Sequence, residues 1–318
     1  PLDLQNVNKP VSPWCQCTKC TCIDTQPEIK CIMAPNIALR RVKKDLATIT
    51  KEELPGIYVA PQDDDLFKVH ALIIGPSGTP YQGGFFHFVV RHGPQYPLHP
   101  PKVKLMTTGG DTVRFNPNLY KTGKVCLSIL GTWEGPAWSP ASNLSSVLIS
   151  VQSLMNEKPY HNEPGFEKER RPGDSDRYNA IIEHETIRIA VIQNLNGVPS
   201  VPDELRKVMV QKFLENYDHY VSICETNIFK DQQQMEDPFG PGEGRGKFQY
   251  KSLLSKLSVL KTKIEEGVSI FESPSIANSS DTKSAMTSSS ADSSSTTSGI
   301  ADNTSTNNTN SENTDSKT

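Results

Sequence analysis

Between Ile57 and Met106 the chain carries four short β-like runs: Ile57 to Ala60, Phe67 to Ile74, Phe85 to Arg91 and Lys102 to Met106. Parallel neighbours need a long crossover, whereas antiparallel neighbours accept a tight turn. The intervening segments are turns; GPSGTPYQGG, Gly75 to Gly84, is dense in glycine and proline. The runs therefore predict an antiparallel meander. In the second of them Phe67, Val69, Ala71 and Ile73 alternate with other residues, as a strand with one buried face requires. Helical patterns flank the meander on both sides, which makes the class α+β.

Asn36 has the position of an N-cap before a helix with Leu39, Val42, Leu46 and Ile49 on one face. Arg40, Arg41, Lys43 and Lys44 decorate its other sides, where a solvated helical face is the plainest reading. Beyond the meander, Leu144, Val147, Leu148, Val151, Leu154 and Met155 mark an amphipathic helix that belongs to the core. Turns at Pro164-Gly165 and Pro172-Gly173 lead into a long helix from about Ser175 to Leu195. A second helical set follows: Asp203 to Asn227, with Leu205, Val208, Met209, Phe213 and Tyr217 in register, then Phe248 to about Glu265, with Leu253, Leu254, Leu257 and Leu260. A glycine-rich loop, Asp237 to Lys247, separates the two. Such apolar faces must pack on something, most economically on the core domain. The expected organisation is a lead-in over 1–33, a core domain over 36–195, a helical extension over 197–270 and a tail over 273–318. The lead-in lacks apolar periodicity and the tail is nearly all Ser, Thr, Asn and Asp, so both are expected to be disordered.

A net charge of −3 gives no electrostatic case for nucleic acid or a membrane surface as partner. No apolar run approaches the ~18 residues of a membrane span. The chain opens at Pro1 without a methionine, so the missing signal peptide says little about location. Of the seven cysteines, five crowd between Cys15 and Cys31 while Cys126 and Cys224 stand alone, which is not a disulfide framework. Cys15, Cys17, Cys20 and Cys22 are zinc-type ligands, but adjacent Cys-x-Cys pairs without a distant second pair depart from finger spacing. The plain reading is a thiol-rich arm, with no metal expected.

The densest chemistry lies in RFNPNLYKTGKVCLSILGTWEGPAWSP, Arg114 to Pro140. It sets Cys126 between an Asn116-Pro117-Asn118 turn and a Trp138-Ser139-Pro140 loop, with Gly123 bending the chain between. A setting so polar and rich in turns is expected to leave the thiol within reach of solvent, as a nucleophile needs. A cysteine that works as a nucleophile must stay reduced, which favours a cytoplasmic or nuclear setting.

In type, order and spacing these elements resemble the ubiquitin-conjugating enzyme family. The shared features are a proline-rich approach (YPLHPPKV, Tyr96 to Val103), a Pro-Asn turn, a cysteine eight residues after that Asn, and Trp-Ser-Pro. KLMTTG, CLSILGTW, GPAWSPA and KPYHNEPGFE look like the family's large Z-type branch, which carries Asn for the usual first His and a long C-terminal extension. The resemblance implies the ubiquitin-conjugating fold: an N-terminal helix, a four-stranded meander and C-terminal helices. It implies that Cys126 receives ubiquitin as a thioester from an activating enzyme and passes it to a lysine. ATP is consumed by that partner, and no cofactor is bound by this chain. The branch is charged by an alternative, dual-specificity activating enzyme that handles ubiquitin and a tandem ubiquitin-like modifier.

Site residues follow from the same resemblance. Asn118 matches the asparagine proposed to stabilise the oxyanion, although an Asn here could equally do no more than tie its own turn. Asn116 takes the place of a mostly structural histidine. His161 and Glu163 fall in the segment where the family places a residue that orients the attacking lysine; ordinary turn polarity is the alternative. The basic first helix, Arg40, Arg41, Lys43 and Lys44, matches the surface that docks on the activating enzyme. Leu98, Pro140 and Ala141 fall on the two loops offered to ubiquitin ligases, and Leu98 stands where many members have Phe. The sequence departs from the family in having Ser128 for an Asp, and in a longer cysteine-to-tryptophan gap filled by Gly131 to Pro136. A non-catalytic ubiquitin-binding module on the same fold would lack the cysteine. A cysteine hydrolase would need a histidine base against Cys126, with His161 the nearby candidate.

Overall fold

The computed structural model describes residues 27–197, 201–240, 245–268 and 270. The cysteines from Cys15 to Cys22 and the expected disordered tail lie outside them. Helix α1 spans Pro27–Glu52, so Asn36 sits inside the helix rather than capping it. Residues 27–33, expected to belong to the disordered lead-in, are helical. Ala38, Val42 and Ile49 on its inner face are buried.

Four strands follow in meander order, β1 (Ile57–Gln62), β2 (Asp65–Ile74), β3 (Phe85–Arg91) and β4 (Lys102–Leu105), each antiparallel to the next. Alternation decides what each face meets. Val69, Ala71 and Ile73 of β2 join Phe86, Phe88 and Val90 of β3 in one core, closed by Leu144, Val147, Leu148 and Val151 of α2 (Leu144–Ser153). Asn143 begins α2 with a capping box, its side chain accepting from the Ser146 N–H at 2.8 Å.

The opposite face is also covered. Ala60, Leu72 and Phe85 pack against Leu205, Met209, Phe213 and Tyr220 of α4 (Asp203–Thr226) and Leu253, Leu257 and Leu260 of α5 (Tyr250–Glu265). Each such side chain contributes about 1.5–3 kcal/mol by leaving water. The Tyr220 hydroxyl donates to the Gly83 carbonyl at 2.8 Å. Gly83 has φ +72°, and a Cβ there would lie 2.7 Å from that hydroxyl, so only glycine admits the contact. Helix α3 (Asp174–Glu185) continues into a π-helical stretch, Thr186–Gln193, where the sequence periodicity predicts a single uninterrupted helix. At the junction the Gln249 N–H donates to His184 Nε2 at 3.0 Å, fastening the lead into α5 to the core.

On the sheet's outer face His70 and His87 stack with Nδ1 and Nε2 2.9 Å apart. Burial, with His70 and Lys68 nearby, pushes His87 down to about 3, and burial lowers His70 as well. The unfolded chain binds a proton at His87 near the ordinary 6.5, whereas the folded chain does not until far lower pH. Stability is therefore complete above about pH 6.5 and falls as the pH drops from there. We expect a loss of roughly 2 kcal/mol between about pH 7.5 and 5, read from urea midpoints. His87→Leu should flatten that slope; an unchanged slope would place the proton uptake elsewhere.

Candidate active site

The turn before the cysteine is built from side chains as much as from backbone. Asn116 is fully buried; its Nδ2 donates to the Tyr81 hydroxyl at 2.9 Å and to the Leu154 carbonyl at 2.8 Å. Tyr81 in turn donates to the Phe115 carbonyl at 2.8 Å. Asn116 Oδ1 accepts the Asn118 N–H at 2.9 Å, fixing the Asn-Pro-Asn turn. Residues Leu119 to Val125 then fold as a small hairpin round Gly123, whose φ is +84° and whose Cβ position would lie 2.4 Å from the Leu105 carbonyl. That fold-back sets Cys126 against Asn118. The Cys126 N–H donates to the Asn118 carbonyl at 2.9 Å, and Asn118 Nδ2 donates to the Cys126 carbonyl at 3.1 Å.

The expectation of a solvent-reachable thiol is corrected here: Cys126 is buried, 1% exposed. The segment that follows turns back on itself. Ser128–Leu130 form a 3-10 turn closed at Gly131, and Thr132 Oγ1 donates to the Val125 carbonyl at 2.8 Å and accepts from the Leu127 N–H at 3.0 Å. Gly135 approaches Ser128 so closely that a Cβ would lie 3.0 Å from the serine Cβ. The extra residues between cysteine and tryptophan thus fold back on the chain just after the nucleophile.

The two lysine-orienting candidates are both engaged. His161 Nδ1 lies 2.6 Å from the Phe166 carbonyl, a contact that places the proton on Nδ1. Glu163 pairs with Arg114 Nη2 at 3.1 Å, and the same nitrogen donates to the Pro117 carbonyl at 2.7 Å. Among the described residues no hydrogen bond joins His161 to Cys126. Cys224 is fully buried, and burial with Glu183 and Glu225 nearby pushes its thiol up to about 12, a range where it is inert. Among the described residues no group of three or more His, Cys, Asp or Glu could hold a metal ion.

The remaining predicted residues separate into two surfaces. Arg40, Lys43 and Lys44 are exposed along α1. Arg41 differs from them: it pairs with Asp45 at 2.8 Å and donates to the carbonyls of Pro140 at 2.8 Å and Ser142 at 2.5 Å. It clamps the loop after the tryptophan to α1, with the buried Asp45 also accepting the Tyr96 hydroxyl. Leu98 is 71% exposed, and Pro140 and Ala141 are exposed beside it in the fold, because Trp138 Nε1 donates to the Pro97 carbonyl at 2.7 Å and ties the two loops.

Sequence reasoning missed Asp45, Tyr81, Arg114 and Asn162. Asn162 Nδ2 donates to the Leu154 carbonyl at 3.0 Å, beside the Asn116 amide. The one available signal was Asp45, an acid facing inward on the apolar stripe of a basic helix. The other three each make at least one contact distant in sequence.

Comparison with known proteins accords with this geometry. The family model described as "Ubiquitin-conjugating enzyme" matches residues 41–184. Ubiquitin-conjugating enzyme E2 Z of Xenopus tropicalis is 58% identical over 233 residues, 73% of this chain and 74% of that protein. Ubiquitin-conjugating enzyme E2 Z of Homo sapiens is 59% identical over 228 residues, 72% of this chain and 64% of that protein. The human dual E2 ubiquitin-conjugating enzyme/E3 ubiquitin-protein ligase BIRC6 is 38% identical over 213 residues, 62% of this chain but 4% of its own length. With the meander, the Asn-Pro-Asn turn and its cysteine already in place, the chain belongs to the ubiquitin-conjugating enzyme family.

Proposed function

We propose that Cys126 accepts ubiquitin from an activating enzyme and transfers it to a substrate lysine. The observation that carries this reading is the Asn118 amide bonded at 3.1 Å to the carbonyl of Cys126 itself. In the first step the Cys126 thiolate attacks the carbonyl carbon of the donor thioester. A new C–S bond forms and the donor's thiolate leaves. The exchange is between like leaving groups and needs no paired base. In the second step a lysine amine attacks the same carbon, a C–N bond forms, the Cys126 thiolate departs and the ammonium proton is lost to solvent.

An Asn amide has two hydrogens, and one of those on Asn118 is taken by the Cys126 carbonyl. The other is the donor for the oxyanion that develops as the amine attacks. Glu163, 30% exposed and held by Arg114, is assigned the acceptor side of the site. His161, tied to Phe166, shapes the segment. Arg40, Lys43 and Lys44 form the activating-enzyme surface, with Arg41 supporting it from within, and Leu98, Pro140 and Ala141 form the ligase-facing patch. No described helix is long and apolar enough to cross a membrane, and a reduced Cys126 suits the cytoplasm and nucleus. ATP enters only through the activating partner, and this chain binds no cofactor of its own.

Similarity to the Z-type relatives points to the dual-specificity activating enzyme as donor. Incubating the chain with ubiquitin, ATP and either the ubiquitin-only or the dual-specificity enzyme tests both claims on a non-reducing gel. We expect a reductant-sensitive shift of one ubiquitin with the dual-specificity enzyme. Equal charging by both would remove the partner assignment, and no charging by either would leave a ubiquitin-binding module.

A further inference from the structure

The glycine-rich loop of the extension reaches the catalytic side of the molecule. Its base is zipped by the Gln234–Lys247 bridge and by the Met235 N–H donating to the Gly246 carbonyl at 2.9 Å. Asp237 pairs with Arg245 at 2.7 Å with both side chains almost fully buried, and Asp237 Oδ1 accepts the Phe239 N–H at 2.9 Å. So anchored, Phe239 inserts among three rings of the core: Tyr160 at 5.3 Å, stacked, Phe166 at 5.0 Å, and Tyr178 at 5.0 Å, edge to face. Aromatic pairs at these separations favour defined orientations.

Two of those rings flank the segment that holds His161 and Glu163. Glu163 is bonded to Arg114, whose guanidinium lies 4.4 Å from the Tyr120 ring and 6.0 Å from that of Phe239. Arg114 also holds the Pro117 carbonyl, in the turn that presents Asn118. From the same segment, Asn162 shares the Leu154 carbonyl with Asn116. A continuous set of contacts therefore runs from the extension, through Phe239, to the turn beside Cys126. None of it touches the Cys126 backbone bonds directly.

We propose that Phe239 is a positioning residue for aminolysis: the extension sets the acceptor side of the active site, so that transfer to lysine depends on it while thioester formation does not. This rests on Cys126 being the acyl carrier. The physical reason for the asymmetry is that thioester exchange needs only an accessible thiolate. Attack by an amine needs Asn118 and the Glu163 segment in register with the carbonyl, and misplacement of such groups by about 1 Å costs up to ~10²-fold.

The test uses the full chain. Phe239→Leu keeps an apolar filler and removes the stacking ring, whereas Phe239→Tyr keeps the ring. Each variant is charged with ubiquitin, the charging enzyme is quenched, and discharge to free lysine is followed alongside the charging rate and Tm. We expect Phe239→Leu to charge within about twofold of the parent and to discharge about tenfold more slowly, with Phe239→Tyr restoring discharge. Parent-like discharge by Phe239→Leu overturns the proposal, as does a parallel fall in charging and discharge, which marks a merely structural role. If the parent chain itself forms no thioester, the failure belongs to the reading of Cys126 instead.

Discussion

Cys126→Ala will form no covalent ubiquitin adduct under conditions where the parent chain charges to completion, and Cys126→Ser will form one that survives thiol reductant. The first result follows because Cys224, the other cysteine whose side chain is described, is fully buried and its thiol is pushed up to about 12. The second follows because a serine in the same place gives an oxyester, which reductants do not cleave. Cys224→Ala should charge as the parent does. An adduct retained by Cys126→Ala and lost on reduction would move the nucleophile to another cysteine, and the thiol-rich stretch from Cys15 to Cys31 would be the place to look. The burial of Cys126 adds a second expectation from the same experiment. With 1% of the residue exposed, its surroundings must shift before a donor carbonyl reaches the sulfur. Charging should therefore be slower than the chemistry of an open thiolate, and relaxing the Thr132 bonds by Thr132→Val should raise its rate.

The meander was legible in the sequence because alternation at Val69, Ala71 and Ile73 is a local signal of a one-sided core. The covering of the other face was half legible. The apolar faces of α4 and α5 announced that they pack somewhere, but their target is recorded in residues that break the alternation, Leu72 and Phe85, both completely buried. A strand buried on both faces loses its period, and in those runs the loss was itself the mark of a second layer. The catalytic stretch was legible as order and spacing. Its burial was not, because contacts such as the Thr132 hydroxyl on the backbone of Val125 and Leu127, the residues flanking Cys126, leave no periodic signal. The roles of Arg41, Asp45 and Phe239 were hidden for a simpler reason. Arg41 reads as one more surface cation until its partners at Pro140 and Ser142 are known, and no periodicity links residues about a hundred positions apart.

The largest effect short of losing the nucleophile is expected at Asn118. Asn118→Ala should leave charging nearly intact and slow discharge to lysine by ~10²–10³-fold, the ~2.7–4 kcal/mol that one preorganised oxyanion donor supplies. Truncation alone is ambiguous, because it also deletes the 3.1 Å bond to the Cys126 carbonyl and the cysteine then loses a support as well as a neighbour. Asn118→Asp loses that bond too, so the two roles are separated by reading charging and Tm beside discharge. The shape and the backbone bonds of the turn are kept, including the Asn118 N–H to Asn116 Oδ1 and the Cys126 N–H to the Asn118 carbonyl, which do not involve the side-chain nitrogen. What is lost is the donor, and a carboxylate facing a developing oxyanion is repulsive where the amide was attractive. If Asn118 stabilises the oxyanion, Asn118→Asp should discharge at least as slowly as Asn118→Ala while charging normally. If Asn118 only ties its turn, both variants should lower Tm and slow charging and discharge together, since each loses the bond to the Cys126 carbonyl. Single-turnover charging and discharge of the two variants, with Tm for each, decide between these roles.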